Sequence, residues 1–202
     1  MRSDIKRKLK FVSLFTLLFV LSCATVVEQQ SAVSVQTAQQ SILSPALENP
    51  SVKIVGFDID DTILFSTPAF DKGYASGHPY GTEEFWEVVN SSDEGNSIIK
   101  KKTLEILNAH KEKGHEIYFV TSRNPAGGET LQKFLSSELG IPEENIIFAP
   151  GGKTEILKKL GIDAFYGDSD SDIRYAIEAG AIPIRILRSP DSSYKGSHNP
   201  GY

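Results

Sequence analysis

The chain has 202 residues, enough for one domain with appendages, and a formal net charge of −5 from 21 basic and 26 acidic residues. Residues 1–22 hold five basic residues and one acid, so without them the formal charge falls to −9. A chain that acidic excludes a broad basic face for nucleic acid, while its single cysteine, Cys23, excludes an internal disulfide.

In chain order, the first segment has the pattern of an export signal. A basic start is followed by the apolar run "FVSLFTLLFVLS" and then Cys23. That run is shorter than the ~20 residues a transmembrane helix needs. Two endings fit the residues: "VLSCA" resembles a bacterial lipobox, which makes Cys23 a lipidated first residue and the membrane a partner, and "SCA" also suits ordinary signal-peptidase cleavage after Ala24. Residues 1–22 are thus expected to be a signal peptide, and residues 23–50, rich in Gln, Ser, Ala and Val without a clear period, a flexible tether.

From residue 51 onward a compact domain is expected. "KIVGFDI" reads as a strand, and "SIIKKKTLEILNAHKEKG" as an amphipathic helix capped by Ser97 and ended by Gly114. "HEIYFVTS" is a strand, "GETLQKFLSSELG" a helix closed by Gly140, "NIIFA" a short strand and "KTEILKKLG" a helix. "DAFYGD" is a strand, "SDIRYAIEAG" a helix and "IPIRIL" a last strand. This alternation predicts an α/β fold of three layers, a mostly parallel five-stranded sheet covered on both faces. Residues 65–96 break the rhythm and are too long for an ordinary connection, so they are expected to form a small inserted cap.

Ligands of such sheets bind beyond the carboxyl ends of the strands. Those ends carry Asp58 and Asp60 after the first strand, Thr121, Ser122 and Arg123 after the second, and Asp168, Asp170 and Asp172 after the fourth. Lys153 stands before a helix on the same edge. Clustered carboxylates stay ionised around a divalent cation, and oxygen-only ligands without Cys or His favour Mg²⁺ over Zn²⁺. "DSDSDI" starts like an EF-hand loop, but Ile173 stands where glycine is required and Ala179 where the bidentate glutamate is required. The set suits phosphate chemistry: a carboxylate nucleophile, a second carboxylate two residues on as acid and base, and a hydroxyl, a lysine and a metal around the phosphoryl group. His78, His110, His115 and His198 show no ligand spacing.

"DIDDT", "FVTSR", Lys153 and "GDSDSD" together resemble the four motifs of the haloacid dehalogenase (HAD) superfamily. With "FW", "IRILRS" and "SSYK" they resemble more narrowly the class B bacterial acid phosphatases. The resemblance implies an exported, Mg²⁺-dependent phosphomonoesterase acting on nucleotides and aryl phosphates, periplasmic or tied to the outer membrane. It implies Asp58 as nucleophile and Asp60 as acid and base, with the metal on Asp58, Asp168 and the backbone carbonyl of Asp60. Thr121, Ser122 and Lys153 would hold the phosphoryl group, and Phe70, Trp86 and Tyr194 the aromatic part of the substrate, with Tyr80 as a further candidate. It also implies a homotetramer. Ser122 stands where the family commonly has glycine.

Two alternatives share these residues. One is a lipoprotein 5′-nucleotidase of the class C type, and the other a surface lipoprotein that binds nucleotides without turning them over. Asp172 either supports Lys153 or a metal-bound water, or only begins a helix. Arg123 reaches either the phosphate or the cap. Asp61 is expected to be structural.

Overall fold

The computed structural model describes residues 45–193. The signal segment, Cys23, most of the tether and Tyr194 lie outside the described residues.

Five parallel strands form the sheet, in the order β5-β4-β1-β6-β7: β1 (Ile54–Phe57), β4 (Glu116–Thr121), β5 (Ile146–Phe148), β6 (Ala164–Gly167) and β7 (Ile182–Arg185). All four pairings are parallel, as expected of apolar, β-branched runs separated by helices. The register puts Phe57 beside Phe119 and Tyr166, and Gly56 beside Tyr118 and Phe165. Side chains alternate across a strand, so these two sets face opposite layers.

On one face, Phe57, Phe119 and Tyr166 pack together with His110 of α3 (Lys101–Glu112), and the Phe57 and Tyr166 rings stack at 4.7 Å. Lys111 of α3 donates to the Leu139 carbonyl at 2.7 Å, which ties in α4 (Gly128–Leu139). On the other face, Val120 and Phe165 pack with Leu157 of α5 (Thr154–Leu160) and Ala176 of α6 (Asp170–Ala179). Gly56 is needed there, because a Cβ on it would sit 2.6 Å from the Phe165 ring.

The cap is helical. It consists of α1 (Thr67–Ala75), with Pro68 at its start, and α2 (Glu83–Ser92), whose N-cap Thr82 accepts from the Phe85 N–H at 3.3 Å. Their apolar faces meet through Ala69, Phe85, Trp86 and Val89.

Two boundaries differ from the sequence reading. The helix expected to start at Ser97 starts at Lys101, and Ile98–Ile99 form β3, antiparallel to β2 (Leu64–Phe65). Two consecutive β-branched residues favour the strand, and the Ser97 hydroxyl donates to Asp93 at 2.6 Å rather than capping a helix. At the start of the domain, residues 45–48 are helical and Ala46 is fully buried, so packing begins before residue 51.

Candidate active site

The three central strands, β4, β1 and β6, end side by side and deliver Thr121, Asp58 and Asp168 to one edge. Asp58 is 5% exposed, and its backbone N–H is held by the Tyr166 carbonyl at 2.8 Å. One carboxylate oxygen, Oδ1, accepts from Lys153 Nζ at 2.5 Å. The other accepts from Thr62 Oγ1 at 3.1 Å.

Lys153 is 2% exposed and precedes α5 directly. Its second partner is Asp172 Oδ1 at 2.6 Å. Asp172 is itself fixed by a capping box: its Oδ2 accepts from the Ser169 hydroxyl and N–H, and its own N–H donates back to Ser169 Oγ. Gly167 makes room for this, since a Cβ there would lie 2.3 Å from the Asp172 Cβ. Asp172 thus contacts Lys153 and at the same time closes the first turn of α6.

Asp168 is covered by a residue to which the sequence reading gave no role. Arg188 is 4% exposed; its Nε donates to Asp168 Oδ2 at 2.6 Å, its Nη2 approaches the same oxygen, and it lies 3.4 Å from Asp61. The signal was present in "IRILRS", but nothing in the spacing says that this arginine folds back over β6. Asp61 adopts the left-handed backbone conformation, with φ 55°. Its Oδ2 accepts from Ser192 Oγ at 2.6 Å, and Lys100 Nζ donates to its backbone carbonyl. The Asp61 carboxylate is thus held from the segment after β7, by Ser192 and the nearby Arg188, and its backbone carbonyl by Lys100.

Asp60 points elsewhere. Its carboxylate takes a forked ion pair from Arg123, Nε to Oδ2 at 3.0 Å and Nη2 to Oδ1 at 2.6 Å, and Ser66 Oγ donates to it at 2.6 Å. Arg123 also reaches Asn90 and Asp93 of the cap, and it lines the cavity as well. Asn90 and Asp93 escaped the sequence reading because they lie far from every motif. Thr121 is fully buried, and its hydroxyl accepts from the Arg123 N–H at 3.2 Å; the exposed Ser122 is the member of that pair lining the cavity.

The cavity over these residues has a volume of about 580 Å³, the size of a small-ligand pocket. Asp58, Asp60, Lys153 and Asp168 form part of its floor, and Phe70, Tyr74, Tyr80 and Trp86 line it from the cap. Phe70 and Trp86 meet edge-on at 5.8 Å, whereas Tyr74 and Tyr80 stack at 6.2 Å and are 54% and 63% exposed. Tyr74 is an addition to the residues named from sequence.

The electrostatics favour a cation. Burial raises Asp58 well above the usual carboxylate range; Lys153 opposes this, and Asp172, Asp168 and Asp60 add to it. Burial, against Arg188 and with Asp172, raises Asp168 to about 6. Oxygens of Asp58, Asp168 and Asp172 lie within 4.8 Å of one another. Lys153 and Arg188 occupy Asp58 Oδ1 and Asp168 Oδ2, while Asp58 Oδ2 and Asp168 Oδ1 converge on the Thr62 hydroxyl at 3.1 and 3.5 Å. Three buried carboxylates close together, two of their oxygens converging on the Thr62 hydroxyl, fit a hard divalent ion. The Asp60 carboxylate is turned to Arg123, so a share in that ion would fall to its backbone carbonyl.

Comparison with known proteins identifies the family. A family profile described as "HAD superfamily, subfamily IIIB (Acid phosphatase)" matches residues 20–197. The class B acid phosphatase of Enterobacter sp. (strain 638) is 37% identical over 89% of this chain and 81% of its own. That of Xenorhabdus bovienii is 34% identical over 87% of this chain and 80% of its own. Among solved structures, the class C acid phosphatase from Bacillus anthracis with tungstate bound superimposes with a TM-score of 0.54 at 21% identity, over 75% of this chain and 73% of that one, a likeness of fold. With the profile matching residues 20–197 and such relatives covering most of both chains, the chain belongs to the class B acid phosphatases, subfamily IIIB of the HAD superfamily.

Proposed function

We propose that this acid phosphatase is exported and hydrolyses phosphomonoesters, nucleotides and aryl phosphates among them, through a phosphoryl group carried on Asp58. The observation that supports this most directly is the Asp58 carboxylate at the floor of the cavity, one oxygen held by Lys153, beneath an aromatic wall.

In the first step an Asp58 oxygen forms a bond to phosphorus as the ester P–O bond breaks, and Asp60 gives a proton to the departing alcohol. In the second, Asp60 takes a proton from water, the water oxygen bonds to phosphorus, the Asp58–phosphorus bond breaks and inorganic phosphate leaves. Lys153 offsets phosphoryl charge, and Ser122 offers polar contact from the cavity wall. Burial raises the affinity of Asp60 for its proton, but the charge and hydrogen bonds of Arg123, with Ser66, outweigh this and hold it below the usual carboxylate range. The protonated form needed in the first step therefore gains as pH falls, in keeping with an acid phosphatase. Asp58, Asp168 and the Asp60 carbonyl would hold Mg²⁺, which supplies positive charge for the phosphoryl oxygens. The aromatic wall offers stacking surface for a base or an aryl ring.

Purified Asp58→Asn should show no turnover of p-nitrophenyl phosphate or a nucleoside monophosphate, with an unchanged circular dichroism spectrum. Hydrolysis within tenfold of wild type would remove Asp58 from the nucleophile's role.

A further inference from the structure

Arg123 is 1% exposed, and its guanidinium joins two parts of the molecule. A guanidinium has five N–H donors in a fixed plane. Nε and Nη2 grip both oxygens of Asp60, at 3.0 and 2.6 Å. Nη1 donates to Asn90 Oδ1 at 3.0 Å and to Asp93 Oδ2 at 2.5 Å, and Nη2 also reaches Asp93 Oδ1 at 3.3 Å. One edge of the plane is thus committed to the acid of the first motif and another to the C-terminal end of α2.

Both cap partners are themselves fixed. Asn90 Nδ2 donates to the carbonyls of Asn124 at 2.9 Å and Ala126 at 2.7 Å, which settles the orientation of its amide. Asp93 Oδ1 accepts from Ser97 Oγ at 2.6 Å. Neither residue is exposed at all. On its open face the guanidinium lies 5.3 Å from the centre of the Phe70 ring, part of the aromatic wall. Neutralising Asp60 needs only Arg123. A second carboxylate, fully buried, adds a desolvation cost and is weak as a source of stability; what Asp93 and Asn90 add is a fixed plane for the fork.

We infer that Asn90 and Asp93 are positioning residues for the leaving-group step: by fixing the plane of Arg123 they hold the Asp60 carboxylate in the orientation from which it protonates the departing alcohol. The inference rests on the phosphatase reading, in which Asp60 is that acid. The competing account is a staple, in which the same contacts only hold the cap to the sheet domain.

The two accounts differ in how damage depends on the leaving group. A nitrophenolate departs without help, whereas an alkoxide needs the proton. In kcat/KM, which reports the step that expels the alcohol and not the later hydrolysis at Asp58, a misplaced Asp60 therefore harms alkyl phosphates selectively, and a loosened cap harms all esters alike. The test is kcat/KM for p-nitrophenyl phosphate and for glycerol 2-phosphate, in wild type, Asp93→Asn and Arg123→Lys. The lysine keeps the charge and loses the fork. Both variants should lose about 100-fold on the alkyl ester and less than about threefold on the aryl ester. If Asp93→Asn does not fold, as judged by circular dichroism, Asn90→Ser provides the same comparison with all charges retained. Equal loss on both esters overturns the positioning role and leaves the phosphatase reading standing. A wild type that hydrolyses neither ester overturns both.

Discussion

His110 sets up an acid sensitivity in the core that is separate from the chemistry. It is fully buried on the α3 face of the sheet, with Nε2 2.8 Å from the Tyr166 hydroxyl and Nδ1 2.8 Å from His115 Nδ1. Burial, with help from the charges of His115 and Lys113, lowers its pKa from 6.5 to about 4. The unfolded chain therefore binds this proton more readily than the folded one, so the contribution to stability is complete above pH 6.5 and is lost as pH falls from there towards 4. The full shift corresponds to about 2.5 kcal/mol between pH ~7.5 and ~4.5; His115 opens the pair to solvent, and screening brings the expected loss to about 1–2 kcal/mol. Asp168, raised to about 6, titrates in the same window with the opposite sign, so the informative quantity is a difference between proteins. Urea unfolding of wild type and His110→Gln should be measured at both pH values. Glutamine keeps a partner for Tyr166 and does not titrate, so the variant should lose about 1–2 kcal/mol less than wild type on acidification. Equal losses in the two proteins would refute the assignment of acid sensitivity to His110.

Removal of divalent metal with EDTA should abolish activity, and Mg²⁺ should restore it; restoration by Zn²⁺ alone would contradict the oxygen-only donor set around Asp58 and Asp168. Gly167→Ala places a Cβ 2.3 Å from that of Asp172, so it should lower stability by about 1–3 kcal/mol in thermal melts and activity with it, through the Asp172 contact to Lys153. If Cys23 carries lipid, Cys23→Ser should release the protein from the membrane fraction, because the several acyl chains of a lipoprotein hold where one is marginal. A mature chain beginning unmodified at Thr25 in mass spectrometry would instead mean cleavage after Ala24.

The sheet and the order of its elements were legible because each strand is a short apolar run and α4, α5 and α6 close on glycines, Gly140, Gly161 and Gly180. The two-residue strand Ile98–Ile99 was not, since it is shorter than any period and runs straight into a helix. Asp58, Lys153, Asp168 and Asp172 were readable because each sits at the end of a strand or the start of a helix, where a local pattern fixes its place. Arg188, Asn90, Asp93 and Tyr74 were not: their roles come from chain reversals that bring distant segments together. Even for Asp60 the sequence identified a carboxylate at the site and could not say that Arg123 turns it away from the cluster of Asp58, Asp168 and Asp172.

The central position of β1 has a consequence for how the chain folds. Ile54 pairs with Glu116 and Val55 with Ala164, so β1 meets one neighbour from the middle of the domain and the other only from its last third. Closing such long loops is entropically unfavourable and slow. Until β6 docks, Asp58 lacks the neighbouring Asp168, and the mutual repulsion of the acidic cluster is not yet felt. The charge conflict at the strand ends therefore arises late in the chain, once β6 is in place, and the cations that answer it, Lys153 and Arg188, come from the same last third.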